Sequence, residues 1–133
     1  MSDSFFDSNV VLYLLASDRS KAKRARELID HGGLISVQVL NESAAVLRRK
    51  KSMPWPEVGM FLTGLCARLR VVPLTLDTHQ SGLRLAERYG FSIYDSFIVA
   101  AALAAECDTL WSEDMQHGML VDHRLRIANP FAP

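Results

Sequence analysis

The chain has 133 residues, and its fifteen basic and fifteen acidic side chains cancel in net charge. Apolar residues make up 49% and charged residues 23%, the balance of a globular domain rather than a disordered, collagen-like or coiled-coil chain. That length suits one domain over residues 1–133 and buries roughly two-thirds of the surface exposed on unfolding, so neither disulfide nor structural metal is required. Zero net charge disfavours a dedicated basic DNA packager. Cys66 and Cys107 sit far apart in apolar, helix-like stretches and are expected as buried free thiols. The longest apolar runs, residues 10–16 and 97–105, fall short of the roughly 20 residues of a membrane span. No basic segment precedes the first run, so no signal peptide is expected. These features predict a soluble cytoplasmic protein.

In chain order, Phe5-Phe6 reads as a short buried strand, followed by a turn at Asp7-Ser8-Asn9 and a helix from Val10, with Ser8 or Asn9 placed to cap it. Asp18 is expected to cap a helix over residues 19–31, whose Ala22, Ala25, Leu28 and Ile29 recur at helical spacing. Gly32-Gly33 stops it. Residues 34–37 form a β-branched strand, and residues 38–51 a helix. Pro54 and Pro56 open the next helix, where proline is tolerated. Its Val58, Phe61, Leu62, Leu65 and Leu69 face a core. Val71-Val72 is a strand stopped by Pro73. Asp77 is expected to cap a helix running to Tyr89 and closed by Gly90. Ser92 is expected to cap another, from about residue 93 to 106. Residues 109–111 form a strand, 112–122 a polar loop, and 125–128 a last strand. Strands alternating with helices predict an α/β fold with a mostly parallel sheet, whose ligands bind outside the carboxyl ends of the strands.

Four acids fall on that rim. Asp7 follows the first strand directly. Glu42 lies in the first turns of the helix after the second strand, Asp95 in the first turn of its helix, and Asp114 three residues after the strand at 109–111. Phe5-Phe6 before Asp7 and Phe97-Ile98-Val99-Ala100 after Asp95 predict that these two carboxylates are at least half buried. Gathered carboxylates raise one another's pKa values, and burial adds to the penalty. No Lys or Arg lies within three residues of Asp7 or Asp95. Oxygen donors without Cys or clustered His favour Mg²⁺ or Mn²⁺ over Zn²⁺. Two such ions about 3.5–4 Å apart activate water and steady the leaving oxygen in phosphodiester cleavage. For any one of the four acids alone, the alternative is a helix cap.

These motifs resemble the PIN-domain family, and more narrowly the VapC-type toxins of bacterial toxin–antitoxin pairs. The residues carrying the resemblance are Phe5-Phe6-Asp7-Ser8-Asn9; Val39-Leu40-Asn41-Glu42; the run Tyr94-Asp95-Ser96-Phe97-Ile98-Val99-Ala100-Ala101; the run from Leu110 through Ser112-Glu113-Asp114 to Gly118; and the tail Ile127-Ala128-Asn129-Pro130-Phe131. The resemblance covers nearly the whole chain. It implies a PIN-like three-layer sandwich around a five-stranded, mostly parallel sheet. It also implies an Mg²⁺-dependent endoribonuclease, with Mn²⁺ as a possible substitute, that cleaves RNA. Carried over to this chain, Asp7, Glu42, Asp95 and Asp114 form the acidic cluster. Asp7, Asp95 and Asp114 are its metal ligands, and Ser112 orients Asp114 or a water. Some relatives carry a further acid where this chain has Gln116 and His117, which leaves one or two ions open. The resemblance further implies a homodimer and a cognate antitoxin protein.

Arg19, Lys21, Lys23, Arg24 and Arg26 crowd one helix, and Arg48, Arg49, Lys50 and Lys51 end another; they are a solvated face or an RNA-backbone contact. His117 is read as a surface loop residue or a proton carrier. Met53, Trp55, Met60 and Phe61 form a patch suited to a partner helix, which by the resemblance is the antitoxin's. Two rival readings stand beside the nuclease. One is a non-catalytic RNA- or protein-binding module. The other is an aspartyl-nucleophile phosphatase, which normally needs a second Asp where this chain has Asn9.

Overall fold

The computed structural model describes residues 3–133. Its elements run β1 (Ser4–Phe6), α1 (Ser8–Leu12), a 3-10 turn (Tyr13–Leu15), α2 (Arg19–Asp30), β2 (Leu34–Ser36), α3 (Val37–Lys51), α4 (Trp55–Arg68), β3 (Arg70–Val72), α5 (Leu76–Tyr89), α6 (Ile93–Ala104), β4 (Thr109–Trp111), β5 (Leu120–Val121) and β6 (Leu125–Ala128). The sheet has the order β3-β2-β1-β4-β6-β5. All pairings are parallel except β5 with β6. This is the expected α/β architecture of a mostly parallel sheet flanked by helices.

The sheet has six strands, where five were expected. The extra strand, β5, lies in the segment read as a polar loop. It returns to β6 through Asp122-His123, at φ +50° and +59°, and the Arg124 amide closes the turn on the Val121 carbonyl at 3.0 Å. Consecutive left-handed residues in a hairpin loop are usually signalled by glycine or asparagine. Asp-His carries no such signal.

Local chemistry sets most helix boundaries. Asp18 caps α2 through the Lys21 amide, and Ser92 caps α6 through the Asp95 amide, both as expected. Three starts differ. Asp7 itself caps α1 by accepting from the Ser8 amide, in place of Ser8 or Asn9. Ser36 caps α3, which starts at Val37. Thr75, rather than Asp77, caps α5, accepting from the Thr78 amide at 3.1 Å. In each case the capping oxygen belongs to the last extended residue, which alone points back at the free amides of the first turn. Helix α6 stops at Ala104, and Glu106 turns left-handed at φ +61°.

One hydrophobic core runs under the sheet, with Phe5, Phe6, Ile35, Val99, Leu110 and Ile127 all fully buried. Of the two thiols, Cys107 is buried as expected but Cys66 is exposed. Helix α4 buries Val58 and Leu65, two turns apart, and position 66 lies about 100° round from Leu65. Among the described residues no helix is long and apolar enough to cross a membrane.

Candidate active site

The site is built where the strand order reverses. β1 lies between β2, next in the chain, and β4, reached only after the excursion to the β3 edge. Such a switch point opens a crevice at the carboxyl ends of the strands. Asp7 ends β1, Ser36 and α3 follow β2, and Ser112-Glu113-Asp114 follow β4. The β1–β4 register pairs Phe6 with Trp111, and the Asp7 amide donates to the Trp111 carbonyl at 3.0 Å. Asp7 therefore lies beside Ser112.

Asp7 is 3% exposed and Ser112 wholly buried. The Ser112 hydroxyl donates to Asp7 Oδ2 at 2.8 Å, and the Ser8 amide donates to Oδ1 at 2.7 Å. Ser112 therefore orients Asp7 rather than Asp114, and its oxygen also accepts from the Met115 amide at 3.3 Å. Burial lifts the Asp7 carboxyl to about 7; the charges of Asp95 and Glu42 add to the rise, while the Ser112 and Ser8 hydrogen bonds oppose it. Asp95 is half-buried in the first turn of α6, and its carboxyl is also raised, first by burial and then by the charges of Glu42 and Asp114, with Ser92 acting in the opposite direction. The four acids thus feel one another across 107 residues of chain, as the rim position predicts.

Three polar residues missed as site residues hold the acids in place. Asn9 donates through Nδ2 to Asp7 Oδ2 at 3.3 Å and to Asp114 Oδ2 at 3.2 Å, and accepts from the Glu113 amide at 3.1 Å. The Ser8 hydroxyl donates to Glu42 Oε1 at 3.1 Å. Gln38, one helical turn before Glu42 and itself buried, donates to Glu42 Oε2 at 2.7 Å. In the sequence Ser8 and Asn9 stand in the first motif and as candidate caps of α1, with no role towards the other acids. The i, i+4 spacing of Gln38 and Glu42 was a visible signal for the third. His117, in the surface loop, accepts from the Asn129 amide through Nδ1 at 2.9 Å.

The donor set suits a hard divalent cation. It comprises carboxylates only, and among the described ion pairs none joins Asp7, Glu42, Asp95 or Asp114 to a protein cation. As they stand, no three His, Cys, Asp or Glu side chains among the described residues are grouped closely enough to hold a metal ion. Mg²⁺ does not demand three protein ligands, because it keeps several waters and is usually bound through one or two carboxylates plus substrate phosphate. Asp7 and Asp114, which share the Asn9 amide as donor, are two carboxylates that could hold it.

Several solved structures share this fold. A toxin–antitoxin complex from Klebsiella pneumoniae matches with a TM-score of 0.74 and 15% identity, covering 97% of this chain and 98% of that one. A DNA-bound VapBC from Salmonella typhimurium matches at 0.72 and 16%, covering 98% and 99%. VapC20 of Mycobacterium tuberculosis, a Sarcin-Ricin loop cleaving toxin, matches at 0.64 and 17%, covering 81% and 87%. Among curated proteins no sequence matches the chain. The family model for the PIN domain matches residues 4–117, a stretch that holds every acid of the crevice, and on that match and this fold the chain belongs to the PIN domain family.

Proposed function

We propose that the protein is an Mg²⁺-dependent endoribonuclease, hydrolysing RNA phosphodiester bonds in the cytoplasm as the toxin of a bacterial toxin–antitoxin pair. The observation that carries this reading is a nearly inaccessible carboxyl, Asp7, gathered with three further acids and joined to no protein cation among the described ion pairs, a setting that raises its pKa. Such a group makes little sense as a mere cap. A divalent cation, Mg²⁺ or Mn²⁺, supplies Lewis acidity at the phosphate and acidifies water. Asp7, Asp95 and Asp114 would hold it, directly or through water. Glu42, fixed by Ser8 and Gln38, is poised to orient and deprotonate the attacking water. The toxin–antitoxin complexes among the similar folds support the biological half of the reading.

Cleavage of total bacterial RNA by the purified protein, with Mg²⁺, with Mn²⁺ and with EDTA, tests it. Discrete fragments are expected only with metal, and Asp95→Asn should lower the rate on the order of a hundredfold or more, several kcal/mol of lost charge stabilisation. Asp95→Asn cutting like wild type would remove Asp95 from the site. One observation favours the rival binding module: Asp7, Glu42 and Asp114 already accept protein hydrogen bonds, a satisfied state without metal. EDTA-insensitive RNA binding without cleavage products would select it.

The apolar patch around Met60 is a groove of about 280 Å³, lined by Leu14, Leu15, Met60, Phe61 and Leu65 and flanked by Arg26 and Arg68. It suits an amphipathic antitoxin helix with acidic flanks. Trp55 lies outside it, 64% exposed under the Arg48 guanidinium at 4.6 Å. Met60→Glu is expected to weaken antitoxin binding roughly tenfold or more in a calorimetric titration, with RNA cleavage unchanged. Equal affinity would move the antitoxin elsewhere. The reading includes a homodimer, which light scattering would show as about twice the 14.9 kDa chain mass.

A further inference from the structure

The nuclease reading uses neither Glu113, which stands between two site residues, nor the tail Asn129-Pro130-Phe131. Glu113 engages both carboxylate oxygens. The Tyr13 hydroxyl donates to Oε1 at 2.6 Å and the Lys21 ammonium donates to Oε2 at 2.7 Å. Lys21 also donates to the Tyr13 hydroxyl at 3.2 Å, closing a triangle. Its ammonium lies 4.9 Å from the Tyr13 ring centre and 5.0 Å from that of Phe131, and the two rings meet edge to face at 4.8 Å. A cation against the faces of aromatic rings is held by their quadrupoles as well as by its anion.

The tail is tied down on both sides. Arg24 on α2 donates to the Pro130 carbonyl at 3.0 Å, and the Asn129 amide donates to His117 at 2.9 Å. The Phe131 amide donates to Asn129 Oδ1 at 2.9 Å, which sets the ring over Lys21. Glu113 is meanwhile pinned from the opposite side, because its amide donates to Asn9, whose own amide group bridges Asp7 and Asp114. A residue held by its side chain from one direction and its main chain from the other cannot turn, and the next residue is Asp114. The pairing also binds the one acid of this loop that would otherwise add an uncompensated charge beside the cluster.

We propose that Lys21, sealed by Phe131 of the C-terminal tail, is a positioning residue that fixes the Ser112–Asp114 loop by clamping Glu113 against Tyr13. Its effect on catalysis rests on the nuclease reading; its effect on the loop does not. The test compares full-length Lys21→Met, Lys21→Arg and Phe131→Ala with wild type in two measurements. The first is hydrogen exchange at the Glu113 and Met115 amides, whose acceptors are Asn9 and Ser112. Lys21→Met and Phe131→Ala should accelerate exchange at these amides while core-strand amides keep wild-type protection. Lys21→Arg, which keeps the charge, should restore most of the protection. The second is RNA cleavage, where Lys21→Met should lower kcat about ten- to a hundredfold with KM little changed, the penalty of a misplaced catalytic group. Wild-type exchange at both amides in Lys21→Met overturns the proposal, as does acceleration spread evenly over the chain, which would mean a general structural role. If the wild-type protein cleaves no RNA, the nuclease reading fails and exchange alone decides the clamp.

Discussion

Asp7→Asn is expected to abolish RNA cleavage and to stabilise the metal-free fold at pH 8. Burial among acids lifts the Asp7 carboxyl from 3.8 to about 7. The folded protein then keeps this proton up to about pH 7, whereas the unfolded chain releases it near pH 4. The sign follows from which state binds the proton more tightly. The contribution of Asp7 is fully favourable below about pH 4, drains away as pH rises towards 7, and is absent above it. The whole difference is about 4 kcal/mol. Asn recovers only part of this. Its oxygen still accepts from the Ser8 amide, but its NH₂ replaces the acceptor that now serves Ser112 at 2.8 Å and Asn9 at 3.3 Å. The wholly buried Ser112 hydroxyl loses its acceptor, whereas the Asn9 amide keeps Asp114 and the Ser112 oxygen, so a net gain of about 1–2 kcal/mol is expected. Thermal denaturation in EDTA from pH 4 to 8 checks this: wild type should lose stability towards pH 7 and the variant should lose less. Mg²⁺ should raise the wild-type midpoint at pH 8, little at pH 5 where the proton competes, and not at all in the variant. Parallel pH profiles for the two proteins would mean that Asp7 is not the titrating acid.

Gly33→Ala is expected to give the largest loss of stability. Gly33 lies at φ +152°, and an added Cβ would stand 2.5 Å from the Ser4 carbonyl oxygen and 2.7 Å from the Phe6 ring. Neither neighbour can yield cheaply. The first is backbone of β1, which is hydrogen-bonded on both sides, and the second is wholly buried. Opening β1 from β2 also displaces Asp7, so function should fall with stability. The expected loss is roughly 3 kcal/mol or more. Gly32 is the control: at φ +89° with nothing near its absent Cβ, Gly32→Ala carries only the left-handed penalty of about 1 kcal/mol. Urea denaturation of the pair separates the effects, and equal midpoints would refute the clash.

The acidic rim was legible because strand–helix alternation and the placement of Asp7, Glu42, Asp95 and Asp114 are local facts that a parallel topology turns into one location. The caps at Asp18 and Ser92 were legible for the same reason, since each oxygen serves an amide three residues on. Spacing alone misplaced the cap of α5, because Thr75 and Asp77 differ only in where extended backbone gives way to helix. It missed β5, because Asp122-His123 adopts left-handed backbone without glycine. The resemblance implied that Ser112 orients Asp114 or a water; the register that sets its hydroxyl on Asp7, 105 residues away, belongs to the β1–β4 pairing.

By itself, then, the sequence determined the alternation of elements, the absence of any cation near Asp7 and Asp95 along the chain, and the oxygen-only donor set. Tertiary structure decided the rest. Only the assembled sheet excludes water from Asp7 and lifts its carboxyl, joins Asp114 to it through Asn9, and sets Glu113 aside on Lys21. Solvation and Coulomb interaction depend on distance in space, and residues distant along the chain acquire such distances only when the strands pair in register.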